Sequence, residues 1–295
     1  MRRLAAAVVG PVIVPLALLA ALLAACGDDG GGVSTPEDPT PHPTMPDALV
    51  IRVVTGGGLV APPSLLVEVP AVSVYGDGTF IAPGPTTLEY PGAALPNLQQ
   101  GRISENELQE LLDAARAAGL LDDDGPDFGD PGVTDMPSTD ITVNADGAEH
   151  TISIYALDFA DGDDDLESDQ RAARERARDF IAALPTDATE PYEPEAVAVL
   201  VRPYAAVTDD GPEPATHDWP LGDLADAGEP IESFGTDTRC LAVTGADADA
   251  VLAIAAAARA GDVWRSGGAD YGLVFRPLLP DETGCDTLRP PFVGT

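Results

Sequence analysis

The stretch ITVNADGAEHTISI (residues 141–154) decides what kind of fold this chain adopts. Apolar and polar residues alternate on both sides of Asp146-Gly147, and a period of two is typical of half-buried strands. Asp-Gly between two such runs indicates a tight hairpin turn. His150 keeps the phase of the isoleucines that follow it, so we interpret it as a histidine at the edge of the core and not as a ligand. The stretch therefore predicts an antiparallel hairpin.

Three other segments have the signals of helices. Ser104-Glu105-Asn106-Glu107 is a capping box, and the leucines after it recur at helical spacing until Gly119. Further helices are predicted from about Glu167 to Leu184 and from Ala246 to Ala260. Strand-like runs flank these helices without regular βαβ alternation. We therefore predict an α+β fold with mostly antiparallel sheets and three main helices.

The globular part of the chain divides at a proline-bearing stretch. Pro185 to Pro194 lacks apolar periodicity and indicates a domain boundary or a long crossover. We predict a first α+β domain at residues 47–185 and a second α+β domain at residues 186–295.

The amino terminus has the parts of a signal sequence. Arg2 and Arg3 precede an apolar segment at residues 4–23, which ends in Leu23-Ala24-Ala25-Cys26. This pattern resembles a bacterial lipoprotein signal peptide with its lipobox (Leu23, Ala24, Ala25). The resemblance implies a diacylglycerol on the Cys26 thiol, removal of residues 1–25, and a position on the extracytoplasmic side of the cell membrane. An uncleaved transmembrane helix is the alternative.

Residues 26–46 are predicted to form a linker behind the lipidated cysteine. Glycines and then prolines dominate this segment, and no apolar periodicity is present. Such a composition gives a flexible coil followed by a stiffer extended spacer. His42 lies in this disordered linker, where we expect it to be solvated.

The charge of the chain limits its partners. The formal net charge is -35, so nucleic acid and anionic lipid headgroups repel the protein. We predict no nucleic-acid partner and attachment to the membrane through the lipid anchor. All 15 basic residues are arginine. Because lysine is missing, P-loop nucleotide sites, pyridoxal enzymes and Ser-x-x-Lys enzymes are excluded.

The cysteines indicate a covalent link in the second half of the chain. If Cys26 carries the lipid, Cys240 and Cys285 remain. An even pair outside the cytoplasm predicts a disulfide. A metal site built on two isolated cysteines is the rival interpretation.

The densest acidic segment contains Asp161, Asp163 and Asp165. Oxygen ligands at this density suit Ca²⁺, and we keep these three as candidate metal ligands. The EF-hand register fails, since Leu166 stands where that motif requires glycine. The alternative is a solvated loop whose charges favour the start of the next helix. A second acidic loop, from Asp122 to Asp130, has the same two interpretations.

Catalytic patterns in this chain have little specificity. His217 beside Asp218 could form an acid–base pair, or both could be solvated. With 50 acidic residues, a carboxylate pair of glycosidase type would be found by chance.

We interpret Arg171, Arg174 and Arg178 as a solvated helix face.

The run from Trp264 to Glu282 looks like that of uncharacterised secreted proteins of high-GC bacteria, and this similarity implies no activity. We expect a lipid-anchored extracytoplasmic protein of the cell envelope. It would be a non-enzymatic binding or interaction module with a possible envelope protein partner and no cofactor. A calcium-dependent envelope protein and a carboxylate-based hydrolase are the alternatives.

Overall fold

Among the described residues, two mostly antiparallel sheets and three helices confirm the predicted α+β class. The structure is a computed structural model, and it describes residues 38–58, 67–159, 165–206, 212–231 and 237–288. Within those ranges, no helix is both long and apolar enough to cross a bilayer.

The first sheet has seven strands in the order β6-β5-β1-β2-β3-β4-β7. Its strands are β1 (Leu49–Gly56), β2 (Val72–Tyr75), β3 (Thr79–Pro83), β4 (Leu98–Arg102), β5 (Ser138–Ala145), β6 (Ala148–Tyr155) and β7 (Glu190–Pro191). Every neighbouring pair is antiparallel. β5 and β6 form the hairpin predicted around Asp146-Gly147, and β6 lies at the edge of the sheet.

Helices α1 (Glu105–Ala117) and α2 (Ser168–Ala183) bury their apolar faces in the same core as the first sheet. The predicted capping box at the start of α1 is present, because Glu107 N–H donates to the Ser104 hydroxyl and Ser104 N–H donates to the Glu107 carboxylate. Leu108 and Leu112 of α1 are fully buried with Phe180 of α2. Burial of this apolar face stabilises the packing.

The second sheet has six strands in the order β10-β11-β8-β13-β12-β9. Its strands are β8 (Ala196–Pro203), β9 (Thr216–Asp218), β10 (Glu229–Pro230), β11 (Arg239–Thr244), β12 (Val263–Ser266) and β13 (Ala269–Pro277). The β9–β12 pair is parallel, whereas the other pairs are antiparallel.

Helix α3 (Gly245–Ala255) covers one face of the second sheet. Val251 and Ala255 pack in a core that includes Trp264 and Phe275, whose rings meet edge to face at 5.1 Å. The other face carries the disulfide between Cys240 and Cys285. β8 is therefore buried on both sides, which explains its uninterrupted apolar sequence.

The segment before β1 corrects one expectation. The sequence predicts a solvated His42 in a disordered linker, yet its side chain is only 4% exposed. His42 Nε2 lies 3.1 Å from Glu105 Oε1 of α1. Nearby, Thr40 is buried and exchanges hydrogen bonds with the Gln109 side chain. These contacts are polar, so the apolar periodicity of the sequence contains no sign of them.

A set of charged and phenolic side chains links the first sheet to the segment after β13. Arg52 of β1 donates to Asp281 at 2.7 Å, and the Tyr75 hydroxyl donates to the same carboxylate at 2.9 Å. Arg276 donates to Glu282 at 2.9 Å, with side chains only 2% and 6% exposed. We call these five residues the paired junction.

The passage from one sheet to the other lies close to the predicted boundary. β7 still pairs with β4, and the chain enters the second sheet at Ala196. Residues 39–295 group into one compact unit. The division into domains at residue 185 stays a prediction.

Candidate functional site

A groove runs along the edge of the first sheet. One wall is β6, and the other is the loop at residues 122–129. The cavity between them measures about 600 Å³. Gly125 brings the loop against the sheet, because a Cβ added there would lie 3.3 Å from Ile152 Cδ1. We call this feature, lined by residues 122–129 and 148–155, the acidic groove.

The hairpin turn sets the direction of the backbone groups on β6. Asp146 and Gly147 have φ values of 54° and 79°, and two positive values are typical of the type I′ turn that joins adjacent strands. Asp and Gly adopt this conformation at low cost, so the local sequence determines the register. The register places Val143 opposite His150 and Ile141 opposite Ile152.

The outer edge of β6 has open backbone groups. Ala145 and Ala148 close a two-residue turn and form a hydrogen-bonded pair. From that point, hydrogen-bonded and non-hydrogen-bonded pairs alternate along the hairpin, and Glu149, Thr151 and Ser153 lie in non-hydrogen-bonded pairs. Glu149, Thr151 and Ser153 therefore direct their N–H and C=O groups away from β5. All three residues are exposed, and no described residue forms a backbone hydrogen bond with them on that side. The edge is a template for another strand.

Carboxylates line the rim of the groove. Asp122, Asp123, Asp124 and Glu149 are exposed, and no described side chain or backbone group donates a hydrogen bond to their carboxylates. Asp127 differs, because the Gln170 amide and the Gly129 N–H both donate to its carboxylate. These hydrogen bonds, the one from Gln170 above all, hold the pKa of Asp127 below its usual range. Asp127 thus shapes the loop, while the other four carboxylates can interact with a ligand.

A buried arginine braces both walls of the acidic groove. Arg174 of α2 is 0% exposed. Its guanidinium donates to the carbonyl of Phe128 in the loop (3.3 Å) and to those of Tyr155 (3.0 Å) and Ala156 (2.6 Å) at the end of β6. The expectation of a solvated helix face is wrong for Arg174, because the fold brings the backbone carbonyls of the loop and of the end of β6 within hydrogen-bonding distance of its guanidinium.

His150 lies on β6 within the groove lining. It is half-buried and keeps the phase of Ile152 and Ile154, of which Ile154 is buried. This position is the edge of the core predicted for it.

The partner of His217 is a different carboxylate from the one considered from sequence. His217 Nε2 lies 2.8 Å from Asp262 Oδ2, whereas Asp218 is exposed. Burial opposes ionisation of Asp262, but hydrogen bonds from Arg259 N–H, His217 and Ala215 N–H outweigh it and hold the pKa of Asp262 below its usual value. Asp262 lies after α3, 45 positions from His217. A search for partners close to His217 in the sequence therefore does not find this pair.

The geometry gives Asp262 and His217 a structural role. Both oxygens of Asp262 already accept hydrogen bonds, from Ala215 N–H (2.9 Å) and Arg259 N–H (2.9 Å) as well as from His217. The His217 ring packs 5.0 Å from the Trp264 ring. The pair therefore ties the edge strand β9 to the end of α3. A neighbouring cavity of about 640 Å³ includes Asp262 in its lining.

The remaining predicted residues fall in different places. The disulfide between Cys240 and Cys285 is confirmed. Asp165 is exposed just before α2, while Asp161 and Asp163 lie outside the described residues. In the part of the chain that the structure describes, no three His, Cys, Asp or Glu side chains are grouped to hold a metal ion. Cys26 and the lipobox (Leu23, Ala24, Ala25) also lie outside the described residues.

Comparisons of the chain with protein-family models, with curated proteins and with solved structures found no match.

Proposed function

We propose that this protein is a lipid-anchored, extracytoplasmic binding module of the cell envelope, not an enzyme, and that it engages a protein partner at the acidic groove. The single observation that carries the binding role is the groove itself. It combines an open strand edge with four exposed carboxylates to which no described group donates a hydrogen bond. A surface with both unpaired backbone groups and unpaired charge is suited to recognition.

The rigidity of the groove supports this role. Arg174 donates hydrogen bonds to carbonyls of both walls, and the loop approaches β6 so closely at Gly125 that an added Cβ would lie 3.3 Å from Ile152 Cδ1. A preformed site avoids part of the entropic cost of binding. The partner therefore meets walls that are already in place.

Two observations support the extracytoplasmic location. Leu23-Ala24-Ala25-Cys26 has the lipobox pattern, and a lipid with two or more acyl chains holds a protein stably on a bilayer. Cys240 and Cys285 form a disulfide, and disulfides persist in oxidising compartments.

Metabolic labelling tests the anchor. Cells that express the protein receive an alkyne-tagged fatty acid, and the label is compared between the wild type and Cys26→Ser. We expect label on the wild type only. Label on both proteins or on neither would remove the anchor from the proposal.

Position-specific crosslinking tests the binding role. A photoreactive amino acid replaces Asp123 on the groove rim or, as the control, Asp249 on the exposed face of α3. In intact cells we expect one reproducible protein adduct from position 123 and none from position 249. Equal adducts from both positions, or none from position 123, would contradict binding at the groove.

A further inference from the structure

We propose that β6 accepts an extended, cationic peptide segment as an additional strand of the first sheet. This inference deepens the proposed function and rests on it, because it specifies the chemistry of the partner at the same groove. The ligand would be recognised by its backbone through β6 and by its charge through the acidic loop.

The outer edge of β6 offers backbone hydrogen-bonding groups to an added strand. Glu149, Thr151 and Ser153 each direct one N–H and one C=O group into the groove, and all three residues are exposed. A strand laid alongside β6 could exchange a pair of hydrogen bonds with each of them. Arg174 donates a hydrogen bond to the Tyr155 carbonyl, so the ladder of hydrogen bonds to an added strand ends before that residue. The edge thus fits a short extended segment.

The position of the acidic loop indicates which side chains the bound segment carries. The loop at residues 122–129 lies on the core side of β6, because Phe128 packs in the helix-covered core and a Cβ added at Gly125 would lie 3.3 Å from Ile152 Cδ1. Successive side chains of a strand point to opposite faces of a sheet. Every second residue of an added strand would therefore face Asp122, Asp123 and Asp124, where lysine or arginine complements the carboxylates.

Charge also argues against a second copy of this chain as the occupant. Two copies paired through β6 would bring Glu149 and the acidic loops of both molecules together, and each chain has a formal net charge of -35. Like charges facing each other in an interface are unfavourable. A cationic segment of a different protein has no such cost.

The first test uses synthetic peptides and the intact lipidated protein in detergent micelles. The probe is a fluorescent peptide of alternating lysine and valine, whose binding is followed by anisotropy. In an antiparallel added strand whose lysines face the loop, the valine N–H groups donate to β6 and the lysine N–H groups point away from it. N-methylation of every valine should weaken binding at least tenfold, because the hydrogen bonds to β6 are lost. N-methylation of every lysine is the matched control and should change binding less than about threefold.

The second test uses a matched pair of variants. Asp122→Asn/Asp123→Asn removes two charges from the groove, whereas Asp247→Asn/Asp249→Asn removes two exposed charges from α3. We expect binding of the unmodified peptide to weaken about fivefold or more in the first variant and to stay near wild type in the second.

The outcomes separate this inference from the proposed function. Absence of peptide binding at low ionic strength, or equal weakening by both N-methylated peptides, would overturn strand addition. Equal effects of the two variant pairs would overturn recognition by the acidic loop. Self-association of the protein that the peptide abolishes would identify a second copy as the occupant and overturn the inference. A crosslinked partner at position 123 together with any of these results would leave the proposed function standing.

Discussion

The acidic groove and the paired junction use the same kinds of residue in opposite ways. At the paired junction, Arg276 and Glu282 are almost fully buried and hydrogen-bonded to each other. At the acidic groove, Asp122 and Asp123 are exposed and no described group donates a hydrogen bond to their carboxylates. Arg174, which braces the groove, donates to the backbone carbonyls of Phe128, Tyr155 and Ala156.

This difference shows how a strongly acidic protein distributes its few cations. The buried Glu282 carboxylate has a cationic partner in Arg276, because an unpaired buried charge is costly. Exposed carboxylates have water as a partner and lose little stability when they remain unpaired. The paired junction therefore holds the fold together, whereas the carboxylates of the groove remain available for a ligand. Substitutions in the paired junction should therefore cost much more stability than substitutions on the groove rim.

Arg276→Met should destabilise the protein by about 3–5 kcal/mol, because it leaves the buried Glu282 carboxylate without its cationic partner. Urea denaturation at neutral pH measures this loss. The control is Arg265→Met, which breaks an exposed ion pair with Asp270 and should cost less than about 1 kcal/mol. Equal losses in the two variants would remove the distinction between the paired junction and the surface.

Loss of the disulfide should cost about 2–4 kcal/mol, since the bond closes a loop with a sequence separation of 45. Cys285 holds the segment that also carries Asp281 and Glu282. Cys240→Ser/Cys285→Ser should therefore increase hydrogen exchange at the paired junction and leave exchange along β6 unchanged. Exchange that rises equally in both regions would show that the disulfide stabilises the whole unit and not the junction in particular.

Asp262→Asn should destabilise the protein by about 1–2 kcal/mol at pH 7, because Asp262 accepts three hydrogen bonds in the folded state. The pKa of Asp262 is lowered on folding. Its contribution is therefore present above the ordinary aspartate pKa of about 3.9 and is lost as the pH falls through the lower value of the folded state. Denaturation curves between neutral and acid pH should show the variant and the wild type converging below about pH 4. A constant difference would mean that ionisation of Asp262 contributes nothing.

Asp122→Asn/Asp123→Asn should change stability by less than about 0.5 kcal/mol, since both carboxylates are exposed and without donors among the described residues. The same denaturation assay applies, with Asp247→Asn/Asp249→Asn as the matched pair. A loss of more than about 1 kcal/mol would mean that the rim carboxylates stabilise the fold, which would remove the contrast with the paired junction.

Local patterns in the sequence were enough for much of the fold. The alternation around Asp146-Gly147 predicted the β5–β6 hairpin, and the capping box predicted the start of α1. These elements depend on interactions between residues close in sequence. The disulfide between Cys240 and Cys285 was predicted from the cysteine count together with the lipobox resemblance, which left these two as an even pair, with a metal pair as the rival interpretation.

The candidate site was only partly visible in the sequence. The acidic run at residues 122–130 is obvious, but its position alongside the open edge of β6 depends on how the loop returns to the sheet. The sequence predicted a solvated helix face for Arg174, whose side chain is buried. It offered Asp218 only as one possible partner of His217, whereas the partner is Asp262. In both cases the true partners are distant along the chain.

Sequence alone was enough to predict the α+β class, the hairpin, the capping box of α1, the disulfide and the acidic character of the protein, because each depends on local periodicity, capping chemistry or composition. The packing of the folded chain determines which charges are buried and paired, as in Arg276 with Glu282, and which remain exposed, as in Asp122 and Asp123. This is so because the cost of a charge depends on its burial and its neighbours. Packing of segments distant in sequence sets both.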